Sequence, residues 1–158
     1  MEILLLVIVL LPLLTALGIK LIDRLINETL LNFLTINSAL LSFTIASGMF
    51  FLLTVEKFEP IHFTFFTWLT IPEILFEFTL DGLSGIMMVL VTGLSVVIQI
   101  FSTSYMSQDE HYSKYFIYFN VFVFSMLLLV MSGNFLVMFF GWELVGLSSY
   151  LLISFWSK

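Results

Sequence analysis

The sequence contains no cysteine at any of its 158 positions. This absence excludes disulfide bonds, zinc–thiolate sites and cysteine-ligated iron–sulfur clusters on this chain. Charged residues are also scarce, at 10% of the chain, whereas an ordinary soluble domain has about 25%. With so few lysines and arginines, the chain has no basic patch of the kind that binds nucleic acid.

Common catalytic and cofactor motifs are missing as well. The sequence has no glycine-rich phosphate loop and no nucleophile elbow. Its two histidines, His62 and His111, lie in loop-like segments, and neither has a second ligand at the spacing of a metal site. We therefore expect no metal, haem, nucleotide or flavin site on this chain.

Apolar residues dominate what remains, at 61% of the chain. A single soluble core of this size cannot cover so much apolar surface, which indicates an all-α integral membrane protein. A spanning helix needs about 20 apolar residues, and a longer run must be divided. The sequence predicts one membrane domain over residues 1–158, with five transmembrane helices at about 3–21, 30–55, 81–105, 114–131 and 134–157.

Two segments between these helices carry turn signals. Ser132–Asn134 reads SGN and divides an apolar run that is twice too long for one span. Residues 56–80 contain two prolines and two alternating stretches, IHFTF and LFEFT, which are typical of short strands. We expect an ordered outer loop there, in the form of a hairpin, with Asp81 as the N-cap of the third helix.

The basic residues predict the orientation. With five spans, one side of the membrane holds Lys20, Arg24, Lys114 and Lys158, whereas the other holds only Lys57. The positive-inside rule therefore places the N-terminus outside and the C-terminus inside.

Glu143 is the main candidate functional residue. It lies about 13 Å into the fifth helix, close to the middle of the bilayer, where a carboxylate must be protonated or paired. Intramembrane ionisable residues commonly belong to proton relays, but a neutral glutamate can also hold two helices together by hydrogen bonding. Spacing places Gly146, Tyr150 and Ser154 on its face, and we expect this face to lie in a packed interior. Gly146 would permit close helix approach, and the hydroxyls of Tyr150 and Ser154 would hold water or a proton path, with Ser149 as a further supporting residue. The alternative is that these small and hydroxylic residues only pack the bundle.

Two further features offer polar groups. The third helix carries a stripe that should face protein and that is either ordinary packing or a water-lined path; it comprises Gly85, Met88, Thr92, Ser95, Gln99 and Ser102. Lys114 either reaches the membrane surface as a snorkelling charge or modulates a proton path. A relay needs a second titratable group in the membrane, and this sequence offers none beside Glu143. Either Glu143 holds helices together as a neutral group, or its partner comes from another polypeptide.

Three segments carry a family resemblance, namely DGLSGIMMVLVTGLSVVIQIFSTSYMSQDEHYSKYF, SMLLLVMSGNFLVMFFGWE and GWELVGLSSYLLISFW. They resemble chain 5 of NADH:ubiquinone oxidoreductase (respiratory complex I), its distal antiporter-like subunit. The match is dense over 81–156 and rests on span pattern before that. The resemblance implies a 14–16-helix proton-translocating subunit with an N-terminus facing the intermembrane space, and it makes Glu143 the key glutamate.

The resemblance also implies partners that this chain lacks. The family's lysine and histidine partners lie in later helices, so a second chain would supply them, unless the sequence is a truncation. FMN, iron–sulfur clusters and ubiquinone are expected elsewhere in the complex, with other membrane-arm subunits and lipids as neighbours. The mitochondrial inner membrane is the expected location. The alternatives are a structural assembly piece without a proton path and part of an Mrp-type cation/proton antiporter.

Overall fold

The computed structural model describes residues 2–23, 27–55, 59–70 and 73–156. Their elements, in chain order, are α1 (Glu2–Ile22), α2 (Glu28–Val55), β1 (Ile61–Thr70), β2 (Glu73–Leu80), α3 (Gly82–Tyr105), α4 (Tyr112–Val130), α5 (Phe135–Ile153) and a 3₁₀ turn (Ser154–Trp156). The described residues thus form five helices that are long and apolar enough to cross a membrane, which is the number that the sequence predicts. Arg24, Lys57 and Lys158, which contributed to the predicted orientation, lie outside the described residues.

The helix starts follow from local side-chain chemistry. Asp81 caps α3, because its carboxylate accepts a 2.8 Å hydrogen bond from the Ser84 N–H while the Ser84 hydroxyl accepts one from the Asp81 N–H. The Ser84 backbone hydrogen bond and then its hydroxyl lower the pKa of Asp81 below the usual 3.8. Asn134 caps α5 in the same way, by accepting from the N–H groups of Leu136 and Val137. Both predicted boundaries, at Asp81 and at Ser132–Asn134, are confirmed.

The helices form a bundle with α4 at its centre. α2 lies along α3, α1 contacts both α2 and α4, and α5 packs mainly against α4. The larger apolar core joins α1, α2, α3 and α4 around residues such as Ile8, Met49, Met88 and Leu127. A smaller core, around Ile19, Met106 and Phe116, lies at the end of the bundle that carries the Met106–His111 turn. We call this end the turn side and the opposite end the hairpin side.

β1 and β2 form the expected antiparallel hairpin, which pairs Ile61 with Leu80 and Thr70 with Glu73. The hairpin is joined to the α4–α5 turn by backbone hydrogen bonds from Thr79 N–H to the Met131 carbonyl (2.8 Å) and from Gly133 N–H to the Glu77 carbonyl (2.9 Å). A Cβ on Gly133 would lie 2.5 Å from the Glu77 side chain, so only glycine permits this approach. The segment predicted as a loop is thus a structured cap over the hairpin side of the bundle.

Candidate functional site

Glu143 is the ninth residue of α5, near the middle of a 19-residue helix. The helix therefore holds Glu143 at about the same distance from both of its ends, and its position close to the middle of the bilayer stays a prediction. The neighbouring residues on both sides are apolar or small, so α5 itself offers no compensating charge among its described residues.

The contact between α5 and α4 uses another face of the helix than the sequence suggested. Val137, Gly141 and Ser148 are the buried residues of α5, and the Ser148 hydroxyl donates to the carbonyl of Leu144. A Cβ on Gly141 would come within 2.8 Å of the Leu129 backbone, whereas a Cβ on Gly146 would meet nothing within 4 Å. Within this bundle Gly141 is the glycine of close approach, and the role of Gly146 in close helix approach stays a prediction.

The face that carries Glu143 lies on the outside of the bundle. Glu143 and Gly146 are exposed, Tyr150 is 66% exposed and Ser149 is half-buried. Trp142, beside Glu143, is 61% exposed. Within this chain, α5 thus turns its Gly141 face, and not its Glu143 face, towards α4, and the packed interior around Glu143 stays a prediction.

No hydrogen bond or ion pair reaches the Glu143 carboxylate from any residue that the structure describes. The helices α4 and α5 are antiparallel, and the contact between Gly141 and Leu129 shows which of their residues lie side by side. By this alignment Lys114 lies about 13 residues from the level of Glu143, or about 20 Å along the helix axis. Lys114 instead lies over the ring of Tyr118, with its Nζ 5.5 Å from the ring centre. Gly146 and Tyr150 therefore lie on the same face of α5 as Glu143 by helical spacing, Ser149 lies beside that face, and Lys114 lies far from it.

The polar stripe of α3 is confirmed as a face that contacts protein. All its members are buried, and they are Gly85, Met88, Thr92, Ser95, Gln99 and Ser102. The opposing face of α2 contributes two further buried polar residues, Thr35 and Ser42, which sequence reasoning missed. Thr35 and Ser42 are seven residues apart, and Ala39, Ala46 and Met49 fall on the same face by three- and four-residue steps. This spacing was the signal that could have identified the second face.

Metal-binding chemistry is not apparent in the described parts of the chain. Within residues 2–23, 27–55, 59–70 and 73–156, no three His, Asp or Glu side chains come together in a way that could hold an ion. The chemistry that the arrangement offers is proton binding and hydrogen bonding within apolar surroundings.

Comparison with known proteins places this sequence in a family. The family described as NADH-ubiquinone oxidoreductase (complex I), chain 5 N-terminus, matches residues 68–116. NADH-quinone oxidoreductase subunit L of Buchnera aphidicola is 40% identical over 155 residues, which cover 96% of this chain. The chain belongs to the complex I chain 5 family. It corresponds to the N-terminal part of that family's proteins.

Other family members extend the similarity across several lineages. NADH-ubiquinone oxidoreductase chain 5 of Rhizopus stolonifer is 38% identical over 92% of this chain, and the chloroplastic subunit 5 of Anthoceros angustus is 40% identical over 75%. The similarity to the complex I chain 5 family therefore includes residues 1–80, where the sequence pattern alone was less specific. The chain spans 25% of the Buchnera protein and 22% of the Rhizopus protein.

A solved structure has the same fold. A chain of the membrane-bound sulfane sulfur reductase, an archaeal respiratory membrane complex, superposes with a TM-score of 0.85 at 18% sequence identity. The match covers all of this chain and 31% of that chain. The chain is thus a multi-pass membrane protein, and its fold also occurs in a chain of that archaeal complex.

Proposed function

We propose that this chain contributes Glu143 to a proton-translocation path in the membrane arm of a proton-pumping NADH:quinone oxidoreductase. The observation that carries the proposal is a mid-helix carboxylate that lies on the outer face of the bundle and has no partner among the described residues. Membership of the complex I chain 5 family supplies the enzyme to which the path would belong.

The position of Glu143 requires a partner. An ionised carboxylate at the centre of a bilayer is unfavourable by about 3 kcal/mol or more. Facing lipid, Glu143 would have no group with which to exchange a proton. Facing further helices that present a lysine, it would be stabilised as the carboxylate. The exposed face of α5 is therefore the side on which the rest of a chain 5 subunit would pack.

The proposed step is a protonation cycle of a single group. Glu143 alternates between a carboxylate paired with a cation from the adjoining helices and a neutral acid after that pairing is lost. Tyr150 and Ser149 lie one to two turns further along α5 and carry hydroxyls that can hold water beside it. Electron transfer takes place elsewhere in the complex, where FMN, iron–sulfur clusters and ubiquinone would be bound.

The membrane and the orientation belong to the same proposal. The N-terminus would face the intermembrane space of a mitochondrion, or the equivalent outer side of a bacterial membrane, and the turn side of the bundle would face inwards. Lys20 and Lys114, both near the turn side, agree with the positive-inside rule. Partners would be the remaining helices of the subunit, on this chain or on a second one, and other membrane-arm subunits.

The test is Glu143→Gln in the assembled complex, with proton pumping and NADH:quinone turnover measured in sealed vesicles. Glutamine keeps the size and hydrogen bonding of the side chain but cannot titrate. We expect protons pumped per NADH to fall clearly, while the amount of assembled complex stays unchanged. Glu110→Gln is the matched control, because it removes one exposed carboxylate outside the spans. Normal pumping by an assembled Glu143→Gln complex would refute the relay role.

A structural role is the second candidate, and one observation favours it. The face around Glu143 also exposes large apolar side chains, namely Phe139, Trp142 and Leu147, as a helix that docks onto a neighbouring subunit would. A docking face tolerates Glu143→Gln, whereas Glu143→Leu, which removes the group that could hydrogen-bond to a neighbouring subunit, would reduce assembly. Co-purification with redox subunits separates both candidates from an Mrp-type antiporter.

A further inference from the structure

The interface between α2 and α3 has a different composition at its two ends. The helices are antiparallel, and their level is set by two contacts: ring atoms of Phe50 and Phe43 lie 3.0 and 3.1 Å from the positions that a Cβ would take on Gly85 and Gly93. The numbers of two residues that face each other, one on α2 and one on α3, therefore add up to about 135. This alignment lets each buried residue of α2 be placed beside its counterpart on α3.

The half of the interface nearer the turn side is polar. Thr35 and Ser42 of α2 are buried there, and so are four polar residues of α3, namely Thr92, Ser95, Gln99 and Ser102. The half nearer the hairpin side is apolar, because Ala46, Met49 and Leu53 face Met88 and Gly85. We call the polar half the α2–α3 seam. It begins near Ser102 and ends at the level of Thr92 and Ser42.

Most hydroxyls in the α2–α3 seam are satisfied by their own helix. Thr92 donates to the Met88 carbonyl at 2.8 Å, Ser95 donates to the Thr92 carbonyl at 2.8 Å, and Thr35 donates to the Asn32 carbonyl at 3.2 Å. Each of these oxygens retains lone pairs that can accept a further hydrogen bond. The seam thus presents a row of acceptors within an otherwise apolar bundle.

Two atoms of the seam are not satisfied. The Ser42 hydroxyl and the Gln99 carbonyl oxygen are buried and have no hydrogen-bond partner among the described residues, and both side chains are only 1% exposed. A buried polar group without a partner is destabilising, so two such groups on one interface require an explanation. The helix alignment separates them by about six residues, or about 9 Å along the axis.

At the turn side, the seam ends in side chains that can exchange hydrogen bonds with water. The Ser102 and Tyr115 hydroxyls lie 3.0 Å apart, and the Tyr112 hydroxyl donates a 2.6 Å hydrogen bond to the Asn32 side-chain carbonyl. Tyr115 and Asn32 are only partly buried. Water therefore has a polar entrance at this end, whereas Met88 and Met49 close the other end.

We propose that the α2–α3 seam binds a short file of ordered water, which enters from the turn side and ends blindly at the level of Thr92. Ser42 and Gln99 supply the partners that fix this water, together with the free lone pairs of Ser95 and Thr35. Buried water is stable where it has two to four polar partners, and the seam provides about that number at each level. The seam would let protons of the bulk phase reach about half the depth of the membrane without crossing it. The proposal does not rest on Glu143, which lies on another helix.

The absence of cysteine makes the proposal directly testable. A single cysteine introduced at Ser42 becomes the one thiol of this sequence, and the silver ion, which is small enough for a water file, reacts with its thiolate. Membranes containing the assembled complex are treated with silver ion, then denatured and alkylated, and peptides of this chain are analysed by mass spectrometry. Protection from alkylation reports that water reached the thiol.

The matched control is Ala46→Cys, because Ala46 is fully buried on the same face of α2, one turn nearer the hairpin side. We expect Ser42→Cys to react at least about tenfold faster than Ala46→Cys, since only a hydrated thiol forms the reactive thiolate. We also expect reaction only when silver ion is added on the turn side. Equal rates, or reaction only from the hairpin side, would overturn the proposal. Ser95→Cys gives the same comparison if Ser42→Cys does not assemble.

The sign of a stability change gives a second, independent result. If the seam is dry, Ser42→Ala and Gln99→Leu remove unsatisfied groups and must raise the thermal stability of the complex. If the seam is hydrated, both substitutions lose hydrogen bonds to water and must lower it. A rise in the unfolding temperature of both variants would therefore contradict the proposal, even if the cysteine variants failed to assemble.

Discussion

Gly141 of α5 lies directly against the backbone of Leu129 in α4. A Cβ at Gly141 would be 2.8 Å from both the nitrogen and the Cα of Leu129, and 3.2 Å from its Cβ. Backbone atoms cannot move aside as the end of a side chain can. This single contact therefore sets how closely α5 approaches the bundle, and through the helix geometry it sets which face of α5 carries Glu143 outwards.

Gly141→Ala should separate α4 from α5. The added methyl group must displace backbone, so we expect a loss of stability at the upper end of the range for overpacking, about 3 kcal/mol. Gly146→Ala is the matched control on the same helix, because a Cβ there meets nothing within 4 Å of this chain. Thermal unfolding of the purified complex measures both. A Gly141→Ala variant as stable as Gly146→Ala would contradict the close approach.

Asn134 links α5 to the hairpin, and two substitutions separate its two roles. Its carbonyl oxygen caps α5, while its amide nitrogen donates a 2.7 Å hydrogen bond to the Leu75 carbonyl. Asn134→Asp keeps an acceptor for the cap but loses the donor, whereas Asn134→Ala loses both and should cost about 1 kcal/mol more through the missing cap.

Hydrogen exchange of backbone amides distinguishes these variants. In Asn134→Asp we expect the amides of Leu136 and Val137 to stay protected, while those of Gly133 and Thr79 exchange faster because the hairpin loosens. In Asn134→Ala all four should exchange faster. Loss of protection at Leu136 in the Asp variant would show that the cap and the hairpin link are not separable.

The start of α3 should depend on pH through Asp81. Its folded pKa lies below the usual 3.8, because the charged form accepts hydrogen bonds from Ser84. The stabilisation is therefore fully present above pH 3.8 and is lost as the pH falls through the lower folded value. Asp81→Asn retains an acceptor but cannot titrate, so the exchange rates of the first α3 amides should rise on acidification in the native chain and stay flat in the variant. Parallel pH profiles would contradict this role.

Much of the architecture could be predicted from the sequence, because its signals are local. The length of each apolar run, compared with the thickness of a bilayer, predicts the spans, and the SGN turn divides the last run. The alternating stretches beside the prolines predict the hairpin. The α3 face was predictable as well, since Thr92, Ser95 and Gln99 stand at helical spacing among apolar residues. In an apolar membrane helix, a polar stripe is favourable only where it faces protein and not lipid.

The environment of Glu143 was not predictable in the same way. Apart from Glu143, α5 is apolar or small all round, so no periodicity indicates which side packs against α4. The choice is made by Gly141 and Val137, whose fit to α4 depends on the shape of a neighbouring helix. For the same reason the sequence cannot tell which of the two glycines, Gly141 or Gly146, contacts α4. Both have apolar or small neighbours on α5, and only the surface of α4 distinguishes them.

The hydrogen bonds between β2 and the α4–α5 turn have a consequence for biogenesis. Thr79 and Glu77 pair with Met131 and Gly133, which emerge from the ribosome more than fifty residues later. After three spans have inserted, β1 and β2 can pair with each other, but the outer edge of β2 still lacks these partners. That edge remains open to water until the fourth span has crossed the membrane and returned the chain to the same surface. Closure of this edge marks the point in synthesis at which the hairpin side of the bundle acquires its final form.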